Sequence, residues 1–402
     1  SGTYTDPALI GLGGGATDTG VMSQDFNSLS GSLKYDLTPR LALGLFANQP
    51  YGADASYPGG AYQGLSAQWD SSQLAIVMKY KATPNISVYG GVRSIESQPQ
   101  IVIPNQLIGA RVAQAQAAGA QQAADGARAS AAGAQQAAAA AATATTPAQA
   151  AQFAAQAQTL GAQAAALQAQ AQGLQAAALQ TQSTLSLNNA TTGPFTYRAD
   201  TEKDRETSYI LGAAYERPEI ALRVALTYES GYTHKFRTTE TLAAVPGISG
   251  SSITRVDMPD VYTLDFQSGV ATDTLVFGSI RHATWSDWHV RPRGYEALTG
   301  DEVTGIDSDT TTYRIGVGRK FSDSISGFAR VTYEPGNGDV ASRLAPTDGS
   351  TAFGIGGTYT RDAFKITGGV EYITFGEATD ASGTRFADND AVAVGVSVGY
   401  RF

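Results

Sequence analysis

The chain has 402 residues, a formal net charge of −9 and only 16% charged residues. No basic tract or stripe occurs, which argues against a nucleic-acid partner. Cysteine is absent and the three histidines show no close pairing, so neither a disulfide framework, a metal site nor a cofactor is expected. No run of about 18 apolar residues exists, so no transmembrane helix is expected. No Ser-His-Asp order suggests catalysis. The GLGGG run at 11–15 lacks the strand–helix setting of a phosphate loop, and the chain is expected not to be an enzyme. No signal peptide is evident, so a mature or truncated form is expected.

Residues 1–25 are rich in Gly, Thr and Asp and read as a loop. A period of two then sets in. Leu33, Tyr35 and Leu37 alternate with polar residues, a turn follows at Thr38-Pro39, and Leu41, Leu43 and Leu45 resume the alternation. Such alternation is the mark of strands with two unlike faces. Strands are expected at 27–37, 40–48, 66–82, 85–103, 195–216, 219–238, 255–272, 274–290, 310–322, 324–335, 350–361, 363–376 and 389–402.

Between the fourth and fifth of these, from Asn105 to Asn188, the chain is mostly Ala and Gln, both strong helix formers. Thr146 is placed to cap a helix and Pro147 to open it. Two helices are expected, roughly 107–142 and 147–182, each on the order of 50 Å long. Phe153, Leu160, Leu167 and Leu174 recur every seven residues, and so do Gly119, Gly126 and Gly133. Folded back about Thr146-Pro147, the pairs 119/174, 126/167, 133/160 and 140/153 share one index sum. Each large residue then lies level with a glycine or with Ala140, as in a heptad seam. The competing assignment is a low-complexity tract without fixed structure.

The strands are long for a soluble protein, and their connections alternate between short turns and long loops. In the last strand Val392, Val394, Val396, Val398, Tyr400 and Phe402 share one face. Elsewhere the second face carries Lys79, Arg93, Arg223, Arg281, Arg314, Lys320, Arg330, Lys365 and Glu371, which suits a polar lumen better than the core of a sandwich or jelly roll. The expected fold is an all-β transmembrane barrel with about thirteen strands in this chain and an inserted α-helical hairpin. It divides into 1–104 (barrel, first part), 105–188 (hairpin) and 189–402 (barrel, second part).

Three stretches carry a family resemblance. Asn48, Pro50, Tyr51, Gly52, Ala53 and Asp54 form one; Trp285 and Ser286 within HATWSDWHV form the second; Pro259 and Leu264 within PDVYTLDF form the third. In these the sequence resembles the FadL/TodX family of outer-membrane transporters for long-chain fatty acids and other hydrophobic compounds. The resemblance implies fourteen strands, a bacterial outer-membrane location in contact with lipid and lipopolysaccharide, and an N-terminal hatch with an Asn-Pro-Ala motif. Neither the motif nor a hatch-like stretch occurs, so residue 1 is expected to fall in the loop after the first strand. It further implies that the Ala/Gln hairpin replaces the third extracellular loop.

The apolar residues Ile101, Ile103, Leu107, Ile108, Leu185 and Leu187 at the hairpin base, with Leu242, Val245 and Ile248 in the 239–254 loop, are candidates for a capture groove for an acyl chain; otherwise they pack the hairpin base. Arg93, Arg223, Arg281 and Arg314 are candidates to hold a carboxylate headgroup, or else to balance lumenal acids. The expected function is passive uptake of fatty acids or other hydrophobic molecules. The alternative is a structural or adhesive protein whose hairpins join neighbouring barrels, with a homo-trimer as the simplest assembly.

Overall fold

The computed structural model describes residues 1–402 and separates into two compact units. One comprises Ser1–Val102 and Arg198–Phe402, the other Ile103–Tyr197.

The first unit is a wall of thirteen antiparallel strands: β1 (Gly31–Thr38), β2 (Leu41–Asn48), β3 (Ser66–Lys81), β4 (Ile86–Ile103), β5 (Asp204–Arg217), β6 (Leu222–Glu229), β7 (Val261–Ala271), β8 (Thr274–Ala283), β9 (Thr310–Lys320), β10 (Ile325–Glu334), β11 (Ser350–Arg361), β12 (Phe364–Phe375) and β13 (Asp390–Tyr400). Each pairs with the next in chain order. β1 and β13 therefore run in the same direction, and each has one neighbour in the wall. Two-residue turns close the tightest connections, with Asp273 (φ 57°) and Asp362 (φ 52°) in the left-handed conformation that Asp tolerates.

The register keeps one apolar face continuous. Leu45 lies opposite Ile76, Ile76 opposite Val92 and Val92 opposite Tyr209. On the far side Val331 lies opposite Phe353, Phe353 opposite Tyr372 and Tyr372 opposite Val392. Ile76, Val92, Tyr209, Phe353, Tyr372 and Val392 are exposed rather than packed, as are Ile355 (62%) and Val394 (76%) on the same face, while Leu45 and Val331 are half-buried. A face of this kind, many strands wide, is the lipid-facing surface of a membrane barrel. All nine charged residues assigned to the second face from the sequence lie on the opposite side of the sheet, because each is out of phase with its apolar neighbours in the register.

Three expected strands are interrupted. The stretch 195–216 divides into Tyr197–Thr201 and β5, 219–238 into β6 and Tyr232–Thr241, and 255–272 into Gly250–Met258 and β7. The first break falls at Glu202-Lys203 and the other two at Gly231 and Pro259. Asp260 Oδ1 accepts the Gly231 N–H at 2.8 Å, and a Cβ on Gly231 would lie 2.6 Å from the Met258 carbonyl oxygen. Proline supplies no N–H to continue a ladder. The outer pieces form their own hairpin, Tyr232–Thr241 against Gly250–Met258, so much of the expected 239–254 loop is strand. The stretch 274–290 likewise ends as a wall strand at Ala283 and turns at Trp285–Asp287. The N-terminal loop contains one short helix, α1 (Pro7–Leu12). At the same end Tyr62 Oη bonds Asp380 Oδ2 and Thr384 Oγ1, and the phenol is pushed up to about 12, first by burial.

The second unit is a helical hairpin of α2 (Asn105–Ala142) and α3 (Pro147–Ser183). Thr146 Oγ1 accepts the Gln149 N–H at 3.3 Å, and Pro147 is the first helical residue. At about 1.5 Å per residue each helix runs about 55 Å. A Cβ added to Gly119 would meet Leu174 Cδ1 at 3.3 Å, one on Gly126 would meet Leu167 Cδ1 at 3.3 Å, and one on Gly133 would meet Leu160 Cδ1 at 3.2 Å. Ala140 and Phe153, the fourth pair in that series, are half-buried. Ala113, Ala120 and Ala127 of α2 and Ala171 and Ala178 of α3 are buried at the same seven-residue spacing.

Two outcomes follow from this architecture. Gly126→Leu sets a second large side chain against Leu167 and lowers the melting temperature of the helical signal in circular dichroism; an unchanged melt would refute the glycine–leucine seam. Ile315→Arg puts a cation on the exposed apolar face and destabilises the wall by about 2–4 kcal/mol if it lies near the bilayer midplane. Urea-dependent refolding into lipid vesicles measures that loss.

Candidate functional site

The inward face of the wall is a chain of ion pairs. Arg93 on β4 is 3% exposed. It donates from Nη2 to Ser208 Oγ at 2.8 Å and to the Ser230 carbonyl at 3.3 Å, and it pairs with Glu229 on β6. Glu216 accepts from Lys79 at 3.1 Å and from Arg223 at 3.3 Å. Arg330 and Glu371 lie 2.6 Å apart. Arg281 and Arg314 stand outside these pairs. Arg314 donates to Thr332 Oγ1 at 3.3 Å and lies across from Ser279, two residues before Arg281 on β8. The sheet thus presents Arg281, Arg314 and Arg330 as a diagonal of cations on three successive strands, with Glu371 as the ion-paired carboxylate.

At the end bearing the short turns, a cavity of about 850 Å³ opens between the 218–221 turn, β7, β8, β9 and β10. Ile220, Leu275, Phe277 and Phe328 give it apolar walls, and Arg319, Lys320 and Arg330 face it together with Glu219 and Asp273. The Arg330 guanidinium lies 5.9 Å from the centre of the Phe328 ring.

The long-loop end gathers aromatic rings. All three tryptophans of the chain are there. Trp69 on β3 contacts Phe236 edge-on at 5.5 Å, His234 at 6.1 Å and Trp288 at 6.0 Å between ring centres. Trp285 joins Trp288 at 6.3 Å and Tyr51 at 5.7 Å. His234 stacks on Phe236 at 4.7 Å. Glu240 fixes two of the contributing loops to each other: its carboxylate accepts the N–H groups of Gly294 and Tyr295, both at 2.8 Å, at the start of α4 (Arg293–Thr299). Ser286 is locked by donating its N–H and hydroxyl to Asp309 Oδ1, which holds the Asp309 carboxyl below its usual range.

His234 is fully buried, and its Nδ1 lies 2.7 Å from Asp204 Oδ2. Nδ1 therefore donates, and Nε2 is left without a hydrogen-bond partner. Burial pushes the imidazole below its ordinary value and outweighs the opposing pull of Asp204.

The remaining sequence candidates are distributed over both units. In the first, Ile101 and Leu242 are buried, while Val245 and Ile248 are half-buried. In the second, Ile103 and Ile108 are buried and Leu107, Leu185 and Leu187 are half-buried. The aromatic cluster was not anticipated as a unit. Tyr51 and Trp285 stood in the motifs, but Trp69, His234, Phe236 and Trp288 come from three separate segments, and local spacing carries no sign that those segments meet. The only sequence signal was that all tryptophans fall in or beside long loops.

These features define an outer-membrane-type β-barrel wall with a polar inward face and an aromatic mouth. Among solved structures the chain is similar to a FadL homologue from Pseudomonas aeruginosa, with a TM-score of 0.58, 13% identity and coverage of 92% of this chain and 77% of that one. It is similar to the toluene transporter TodX of P. putida at 0.51 and 12% identity, covering 93% and 82%, and to the toluene transporter TbuX of Ralstonia pickettii at 0.51 and 12%, covering 92% and 80%. The chain has the fold of the FadL/TodX barrels. No family model and no curated protein matches its sequence.

The lowered His234 value fixes the sign of a pH effect. Its neutral form stabilises the mouth above the unfolded value of about 6.5, and that contribution is lost as pH falls through the lower folded value. Tryptophan emission should therefore shift to the red on acidification below about pH 6.5. His234→Gln, which keeps a donor for Asp204 but does not titrate, should remove the shift. A shift of equal size in that variant would assign it to another group.

Proposed function

We propose that the chain is a passive channel of the bacterial outer membrane for hydrophobic molecules that carry an acidic headgroup, with long-chain fatty acids as the representative class. The observation that carries this reading is a pair of lumenal arginines that make no direct ion pair, Arg281 and Arg314, with Glu371 and Asp265 acting on Arg314 only at longer range, on the strands that at their short-turn ends line a largely apolar cavity. An acyl chain leaves water for such a cavity at roughly 0.8 kcal/mol per CH₂. A guanidinium is the side chain best shaped to receive a carboxylate. The FadL homologue and the toluene transporters with the same fold support a hydrophobic cargo. In this scheme the half-buried Val245 and Ile248 of the outer hairpin loop, and Leu107, Leu185 and Leu187 of the helical unit, belong to surfaces that first receive the cargo.

Replacing both arginines by glutamine should weaken fatty-acid binding about 10- to 100-fold, the equivalent of about 1.5–3 kcal/mol for hydrogen bonds to a charged group. Binding of a neutral alkane or toluene should change little. Equal loss for charged and neutral ligands would exclude headgroup recognition by these residues.

A second reading assigns the hairpin to assembly or adhesion, with a trimer of barrels joined by their helices. The favouring observation is Leu179, 62% exposed on α3 although its helix already has an internal seam. Particle mass in detergent for the intact chain and for a variant lacking 109–183 separates the readings. Under assembly the oligomer falls to a monomer on deletion, whereas under cargo capture the number of chains per particle is unchanged.

A further inference from the structure

The loop between β8 and β9 holds a group of side chains that channel function does not use. Its two-residue strands His289–Val290 and Thr304–Gly305 pair antiparallel, and His289 lies opposite Gly305. This pairing brings together His289, Glu302 and Asp307, each with one potential ligand atom within 4.8 Å of the others.

The hydrogen bonding of His289 selects which nitrogen faces the group. Nε2 lies 3.0 Å from the Ser286 carbonyl oxygen. A carbonyl only accepts, so Nε2 carries the proton and Nδ1 is the lone-pair nitrogen of the neutral ring. Nδ1 is shielded from solvent and makes no hydrogen bond, yet it lies 2.7 Å from Glu302 Oε2. In the neutral ring such a contact is repulsive unless a metal ion binds beside both atoms, whereas a proton on Nδ1 makes it an ion pair. Histidines that bind metals are held in this way, with the second ring N–H given to a carbonyl or carboxylate.

Gly305 adds an independent observation. The point where its Cβ would stand is touched by both Glu302 Oε1 and His289 Nδ1, so glycine leaves a cradle between those two atoms. Arg291 Nε donates to Glu302 Oε2 at 3.1 Å, which occupies that oxygen and leaves Oε1 facing the cradle. Asp307 is exposed at its rim.

We propose that His289, Glu302 and Asp307 form a binding site for a divalent metal ion of the zinc class, completed by water. One imidazole and two carboxylates suit Zn²⁺ better than Ca²⁺ or Mg²⁺, which take oxygen ligands alone. The site lies on the loop that carries Trp285 and Trp288, and the carbonyl that orients His289 belongs to Ser286 between them. An ion bound there tightens the loop and is read by the tryptophans of the mouth.

The test is titration of the purified full chain in detergent with ZnCl₂. Tryptophan emission is followed, and bound zinc is counted by elemental analysis after gel filtration. The expected result is saturable binding of about one ion per chain, with MgCl₂ producing no signal. His289→Ala and Asp307→Asn should each weaken zinc binding by about 10-fold or more. His282→Ala, on the wall outside the group, should leave it unchanged. Asp307 is exposed, so its variant retains the fold and keeps the test decisive if His289→Ala is unstable. Absence of saturable binding below millimolar zinc would overturn the site and leave His289–Glu302 as an ion pair. Zinc affinity unchanged from that of the unsubstituted chain in both Asp307→Asn and His289→Ala would overturn it as well.

Discussion

Hydrocarbon offers no partner for a backbone N–H or C=O, and the wall answers that constraint. Every strand from β2 to β12 is bonded on both sides, and the pairing runs without a crossover from Gly31 to Tyr400. Once the ladder is continuous, a period of two sorts the side chains. One residue in two meets lipid, and the intervening residue meets the interior. A single-residue slip in any strand would carry its charges to the lipid face, so the register of Leu45, Ile76, Val92 and Tyr209 fixes where Arg93 and Glu216 stand.

Charge on the inward face then has to be compensated locally. Arg93 is nearly inaccessible and is held by Glu229, Ser208 and Ser230 from the two strands that follow it in the wall and the turn beyond. Lys79 and Arg223 share the Glu216 carboxylate. Against that background Arg281 and Arg314 are distinct, since they lie on the same face and make no direct ion pair, with Glu371 and Asp265 near Arg314 only at longer range. The long-loop end is organised by different means. There the loops are tied by single polar contacts, Glu240 to the start of α4 and Ser286 to Asp309, and the aromatic rings fill the space between them.

The helical hairpin obeys a separate rule. Its helices have few large side chains, so their contact depends on matching those of the seam to glycine or alanine. Gly119, Gly126 and Gly133 supply those positions at the heights of Leu174, Leu167 and Leu160. The spacing was visible in the sequence because a heptad is a local repeat, and reversal about Pro147 is the simplest way to bring two such repeats into register.

By itself the sequence determined everything that a local period encodes. It gave the alternating strands, the short turns, the faces of Lys79, Arg93, Arg314 and Glu371, and the ends of α2 and α3 to within two residues. It misjudged strand continuity at Gly231 and Pro259, where a break in direction leaves the alternation almost undisturbed. Tertiary structure alone decided which long loops meet. Trp69, His234, Phe236 and Trp288 come from three segments, and His289 meets Glu302 only because two short strands pair across a turn. Period and propensity act over a few residues, whereas these sites depend on loop ends that the wall sets side by side. That placement follows from the order and register of the strands and has no trace in the spacing of the residues themselves.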